Sequence, residues 1–256
     1  MNKRRETYNV DVGGVFIGSS NPVRIQSMTN TLTENSVDTA EQIKALYDSG
    51  SELVRVTVNN EDSAKSIINI KDLLLKSNYN LPIIGDFHYN AHILLSKYSE
   101  TAAILDKYRL NPGNVGSASK YDDNFSKIIE IAIKNDKPIR IGGNWGSLSK
   151  EYLEKTIVDG EKTDNYEDII KKGLIESVLN SAMHAEKLGL PGNKIILSCK
   201  VSSVSQLVDV YQDIASKCKY PLHLGLTEAG MGDEAMVSSV SALSILLNQG
   251  IGDTIR

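Results

Sequence analysis

The 256-residue chain is 41% hydrophobic and 23% charged, ordinary globular values that allow one large domain with a substantial core. A net charge of −4, with the lysines spread along the chain, argues against a general nucleic-acid or membrane-surface binder, which advertises a basic face. No apolar run approaches bilayer-spanning length, and no signal-peptide core follows the basic start Met1 to Arg5, so the expected compartment is the cytoplasm.

In chain order, Tyr8–Val12, the pair Gly13-Gly14 and Val15–Gly18 read as a hairpin, placed to cap one end of the repeating part of the chain. The repeat begins directly after it. Val23–Met28 is a first barrel strand, followed by a helix over Asp38–Tyr47 with Asp38 as N-cap, Glu41 three residues on and Gly50 past its end. Leu53–Val58 and Pro82–His88 are the second and third strands, each followed by a helix (Ser63–Lys76 and Ala91–Ser99). Lys107–Asn111 is the fourth, with a helix over Phe125–Lys134, and Pro138–Gly142 the fifth. The next connection is longer, with helical patterns over Leu148–Lys155 and Tyr166–Leu188. Lys194–Cys199 and Pro221–Leu226 are strands six and seven, with helices near Ser205–Ser216 and Ala235–Asn248, and Ile251–Arg256 reads as strand eight.

Strands alternating with helices every ~25–30 residues imply right-handed βαβ units, and eight such strands point to an α/β (β/α)₈ TIM barrel rather than an open sheet. The absence of Gly-x-Gly-x-x-Gly after the first strand weakens a dinucleotide-binding reading. The expected organisation is a barrel domain over residues 1–256, with the N-terminal hairpin in 1–22. Ending on strand eight without its helix suggests a barrel truncated at that strand.

In such a barrel the active site lies at the C-terminal strand ends. Polar residues expected there are Arg55 and Thr57, Asp86 and His88, Arg109 and Asn111, Arg140 and Asn144, then Lys200, Thr227, Glu228 and Arg256. In strands two to four each pair is spaced by two, so both members face the same way. Converging cations demand an anion between them, because unpaired buried charge is costly, and a phosphate or diphosphate suits several planar donors. For any single arginine a neighbouring carboxylate explains the charge equally well; for the set, a ligand explains it better. The run Arg140-Ile141-Gly142-Gly143-Asn144 adds a cation, an amide and glycines that admit close backbone approach.

Asp86 and His88 read either as a hydrogen-bonded interior pair or as a weak metal hint lacking a third ligand. His223 reads as a core histidine, and Trp145 and Met28 as pocket lining or packing, with packing the favoured reading for Met28. Glu228 is placed at the mouth, as general acid or base or as charge balance for the cations. Cys199 and Cys218 have no metal-ligand spacing, and a disulfide between them is not expected in a reducing compartment.

These motifs together resemble the 4-hydroxy-3-methylbut-2-enyl diphosphate synthase family of the methylerythritol phosphate route to isoprenoids (terpenoids). The matching stretches are Val23–Thr31, Leu53–Val56, Arg109–Asn114, Ile139–Gly142, Asn144 with Gly146–Leu148, Ser198–Lys200, Pro221–Gly230 and Gly252–Arg256, spanning about Arg4 to Arg256. The resemblance implies the N-terminal barrel of an oxidoreductase that reductively opens 2-C-methyl-D-erythritol 2,4-cyclodiphosphate. It implies two electrons delivered through a [4Fe-4S] cluster from a flavodoxin or ferredoxin. Arg55, Arg109, Arg140 and Lys200 fall on the family's diphosphate-binding positions, Asn111 and Asn144 on pocket amides, and Glu228 on the acidic residue near the departing hydroxyl. The family's cluster sits on three cysteines and a glutamate in a C-terminal domain expected to be absent from this chain, so no metal ligand is expected within it. The family's homodimer sets that domain of one subunit over the barrel of the other. Two alternatives stand beside this reading: a barrel that binds the diphosphate or dimerises without catalysis, and, by fold analogy alone, a pterin-type barrel transferase. The departures from the family pattern are Gly143 and Trp145.

Overall fold

A computed structural model describes residues 3–114, 121–144 and 166–256. Its first element is an antiparallel hairpin, β1 (Val10–Val12) and β2 (Val15–Ile17), turned at Gly13 and Gly14, which both take positive φ. The eight barrel strands are β3 (Arg24–Met28), β4 (Leu53–Thr57), β5 (Ile83–Asp86), β6 (Lys107–Leu110), β7 (Ile139–Asn144), β8 (Ile195–Lys200), β9 (His223–Leu224) and β10 (Thr254–Ile255). All neighbours are parallel, in the order β8-β7-β6-β5-β4-β3-β10-β9. A bridge between Leu197 and Leu222 joins the two ends, so the sheet closes into the expected TIM barrel.

The helices wrap the outside. They are α1 (Ser36–Asp48), α2 (Glu61–Lys76), α3 (Ala91–Lys97), α4 (Ser99–Ile104), α5 (Tyr121–Lys134), α6 (Tyr166–Lys187), α7 (Val204–Lys217) and α8 (Gly232–Asn248). The core lies between them and the strands; Ile67, Ile70 and Leu74 of α2, for instance, are buried with Val54 and Val56 of β4. The start of α1 differs from expectation. Asn35 is its N-cap, accepting from the Asp38 amide, and Asp38 sits in the first turn, where its charge suits the helix dipole. Asn60 and Ser63 form a reciprocal capping box on α2 that shifts its start to Glu61. The expected third helix divides into α3 and α4 at Tyr98. The eighth strand pairs only over Thr254–Ile255. The expected helix over Leu148–Lys155 and the Trp145 side chain lie outside the described residues.

The hairpin decides which end of the barrel is open. Val10, Val12 and Ile17 pack on Leu53, Ile84 and Ile196, inward-facing residues near the N-terminal ends of their strands. This plug closes the bottom with apolar surface, in the capping position expected for it, and leaves polar inward positions toward the strands' C-terminal ends.

Candidate functional site

The strand pleat brings the polar residues together. On β4 and β5 the inward positions pass from aliphatic at the plug (Leu53, Ile84) to charged above it (Arg55, Asp86), and β6 and β7 add the inward Arg109 and Arg140. Asp86, Arg109 and Arg140 are register neighbours on three successive strands. They line a pocket of about 270 Å³ at the barrel mouth, together with Met28, His88, Ser198, Lys200, His223, Thr227 and Arg256. Eight of the twelve polar residues expected at the mouth from the sequence therefore face one cavity: Arg55, Asp86, His88, Arg109, Arg140, Lys200, Thr227 and Arg256.

Four expected residues differ. Thr57, the last residue of β4, is half-buried and does not line the pocket. Asn111, just past β6, is buried and does not line the pocket; neither of its amide atoms has a hydrogen-bond partner among the described residues. Asn144 ends β7, and its side chain lies outside what the structure describes. Glu228 stands at the rim with its side chain 72% exposed and its Oε1 2.6 Å from Lys200 Nζ. Its backbone takes a positive φ of 60°, which a side chain other than glycine's adopts at some cost.

Charge is unbalanced in this pocket. Asp86 is the one carboxylate among the described lining residues, and it is shared: Arg109 Nη1 donates to Oδ1 at 3.0 Å, and Arg55 Nε lies 3.4 Å from Oδ2. Burial pushes the Asp86 carboxyl upward, but Arg109, Arg55 and Arg140 outweigh it and hold its pKa below the usual value. Arg140 is buried, and its Nε and Nη1 have no hydrogen-bond partner among the described residues. Burial, then the nearby Arg55 and Arg109, pull its pKa well down, although a guanidinium keeps its proton at neutral pH. Arg55 is pushed down to about 10, first by burial, with Asp86 opposing. A buried arginine with open donors and cationic neighbours is a standing demand for an anion.

Several lining roles were not legible from strand ends. Met28, whose favoured reading from the sequence is packing over pocket lining, does line the pocket: its thioether accepts from Arg55 Nη2 at 2.7 Å and from Arg256 Nη1 at 3.2 Å, and so sits as a soft acceptor between two cations. Tyr211 reaches in from α7 and ties the barrel's sparsely bonded seam: its hydroxyl accepts from the Cys199 amide at 2.9 Å and donates to the His223 carbonyl at 2.6 Å. His223, read as a core histidine, is buried but also lines the pocket, with Nδ1 3.4 Å from Thr254 Oγ1. Burial and then Arg140 hold its pKa well below normal, which keeps its ring neutral.

The glycines after Arg140 serve packing. A Cβ at Gly142 would lie 3.3 Å from Arg109 Nη2 and 3.3 Å from Ser198 Oγ, so its absence leaves room for the Arg109 guanidinium to cross β7. A Cβ at Gly143 would lie 2.6 Å from Val178 Cγ2 and 2.8 Å from Leu174 Cδ1; glycine there lets α6 press on the strand.

The described donor set does not suit a metal cluster. Among the described residues no group of three or more His, Cys, Asp or Glu side chains converges to hold a metal. Both cysteines are free. Burial pushes the Cys199 thiol up to about 12, the opposite of what a thiolate ligand needs. The Cys218 thiol is also raised, first by burial. No helix among the described residues is long and apolar enough to cross a membrane.

Fold and mouth together define a (β/α)₈ barrel with an electropositive pocket at its C-terminal rim. The chain matches the GcpE TIM-barrel domain over residues 7–256, and it belongs to that family. This establishes the resemblance, drawn from its sequence motifs, to the N-terminal barrel of the diphosphate synthases. Among solved structures, the barrel is similar to dihydropteroate synthase from Xanthomonas albilineans in complex with 7,8-dihydropteroate (TM-score 0.64, 12% identity, covering 98% of this chain and 92% of that one). It is similar to a Coxiella burnetii dihydropteroate synthase in complex with pteroic acid (TM-score 0.67, 11% identity, 98% and 93% covered). A Thermotoga maritima phospho-2-dehydro-3-deoxyheptonate aldolase aligns with TM-score 0.59 and 16% identity over 98% of this chain and 63% of that one. At such identities these likenesses establish the fold alone.

Proposed function

We propose that this chain is the substrate-binding barrel of the iron–sulfur oxidoreductase that reductively opens 2-C-methyl-D-erythritol 2,4-cyclodiphosphate to 4-hydroxy-3-methylbut-2-enyl diphosphate in isoprenoid biosynthesis. One observation carries the reading: Arg55, Arg109, Arg140, Lys200 and Arg256 surround a pocket whose only described lining carboxylate is Asp86, in a member of the GcpE barrel family. Arg55, Arg109 and Arg140 would take the diphosphate oxygens, each charge-assisted bond contributing on the order of 1.5–3 kcal/mol. Lys200 would add a point charge once released from Glu228. His88, whose Nδ1 is buried without a partner among the described residues, and Thr227 would bind and orient the polar groups of the ring.

Glu228 would act at the hydroxyl that departs. Its pairing with Lys200 holds the carboxylate at the rim; when Lys200 turns to the diphosphate, Glu228 is free to hold or move a proton there. The electrons would come through a [4Fe-4S] cluster from a flavodoxin or ferredoxin. Because the described donors do not suit a cluster, its ligands would lie outside this barrel, on a further domain or a partner chain. We also propose a cytoplasmic homodimer. The exposed apolar residues Met236, Val237 and Val240 on α8, with Met231 just before it, support an interface.

The test is made anaerobically on the native protein, with intact mass, iron content and reductive turnover of the cyclic diphosphate measured on one sample. About four irons per chain and turnover with a supplied reductant are expected. Turnover absent from an iron-loaded sample would overturn the oxidoreductase reading and leave a barrel that binds without catalysis.

A further inference from the structure

Below the arginines the barrel holds a lysine that the proposed chemistry does not use. Lys107 stands two residues before Arg109 on β6, so both side chains face the interior, Lys107 one step deeper. It is fully buried, at 0% exposure, and does not line the pocket. Its Nζ donates to Gln26 Oε1 of β3 at 3.3 Å, and no carboxylate among the described residues pairs with it. The Gln26 Nε2 has no partner among the described residues. Arg55 on β4 and Arg140 on β7 act on Lys107 from above, and His223 on β9 shares the same electrostatic neighbourhood. Asp86 on β5, the nearest carboxylate of the ring, already has one oxygen on Arg109 and the other beside Arg55. An ammonium in this place has one weak acceptor and cations above it.

Such a lysine does not hold its proton easily. Burial, then Arg140 and Arg55, lowers its pKa well below the ordinary lysine value. An anion in the ring reverses the field, since it offsets the arginine charges and adds negative potential through a low-dielectric interior.

Resting on the anion-site reading of the mouth, we propose that Lys107 is a proton-accepting floor: neutral in the empty barrel, it takes a proton from solvent onto Nζ when a phosphate-class dianion enters the arginine ring. Binding and proton uptake are then one event, and the bound diphosphate rests above a cation that the empty protein does not have to keep charged. The coupling obeys the sign of linkage. At acid pH Lys107 is charged with or without anion, at alkaline pH it is neutral in both, and uptake peaks between its two pKa values.

Sulfate is the probe, because it carries no titratable proton near neutrality. Calorimetric titration of the purified chain, across a pH series in two amine buffers of different ionisation enthalpy, reads protons taken up per anion bound. The expected result is an uptake that passes through a maximum of more than about half a proton in wild type and vanishes in Lys107→Met. Lys107→Gln is the second variant, keeping a polar group for Gln26 should methionine disturb the floor. Sulfate binding whose heat is independent of buffer in wild type would overturn the proposal while leaving the anion site standing. Uptake that persists in a folded Lys107 variant would also overturn it and would assign the proton to His223. No sulfate binding at any pH would overturn both this proposal and the anion-site reading.

Discussion

Replacing Arg140 by methionine should stabilise the empty protein and cripple its anion binding. Arg140 is 3% exposed, two of its guanidinium nitrogens have no partner among the described residues, and the charges acting on it most strongly are Arg55 and Arg109. The wild-type protein therefore holds a desolvated charge whose compensation is incomplete until a ligand arrives. Methionine fills a similar length with flexible apolar bulk and removes both the desolvation cost and the repulsion. Exchanges of buried charge for well-packed apolar groups gain about 1–4 kcal/mol, so about 2 kcal/mol is a fair expectation. For a chain of this size, that raises the melting temperature by about 4–8 °C. The same substitution deletes one charge-assisted contact to the anion, about 1.5–3 kcal/mol, or roughly a 10- to 150-fold weaker dissociation constant. Thermal melts without ligand and calorimetric titration with pyrophosphate read the two effects separately. A variant that melts below wild type when empty and binds pyrophosphate within about twofold of it would refute the reasoning, because Arg140 would then be a structural cation.

Asp86→Asn should do the opposite, costing about 3–5 kcal/mol in the empty protein because it strips the shared counter-charge from Arg55 and Arg109; chemical denaturation measures it. The folded-state pKa of Asp86 is depressed, so its contribution is present above the unfolded value and is lost as pH falls through the folded one. Asp86→Asn should accordingly flatten the acid limb of the stability profile, and an unchanged limb would contradict the assignment. Gly142→Ala and Gly143→Ala, adjacent and identical in chemistry, should separate. The first meets the Arg109 guanidinium and should weaken anion binding by about tenfold with little change in melting, whereas the second meets Val178 and Leu174 and should cost about 1–3 kcal/mol of stability. Equal effects of the two on binding would contradict the geometry.

The site was legible in the sequence to the extent that it derives from two regularities. Period-two alternation says which residues share a strand face, and the barrel rule says which end of the strand matters; together they bring Arg55, Asp86, Arg109 and Arg140 to one mouth. Depth was not legible. Lys107 obeys the same spacing from Arg109, but only barrel closure and the apolar hairpin beneath it make it fully buried. A spacing of two behind each mouth residue was the available signal. Contributions from outside the strands were also missed, since nothing in the pattern of α7 distinguishes Tyr211 from the buried Leu207 and Val210 beside it on the same helix. The first helix shows the local version of this limit: Asn35 and Asp38 are both good caps by residue type, and the backbone path out of Thr31–Glu34 selects Asn35.

The central claim, that the cationic mouth is a diphosphate site, is tested most directly by titrating 2-C-methyl-D-erythritol 2,4-cyclodiphosphate into the purified chain by calorimetry, beside the Arg55→Met, Arg140→Met double variant. One site per chain, lost in the double variant and weakened by salt, is the result the charge arrangement predicts. Absence of binding by wild type, or equal binding by the folded double variant, would contradict it.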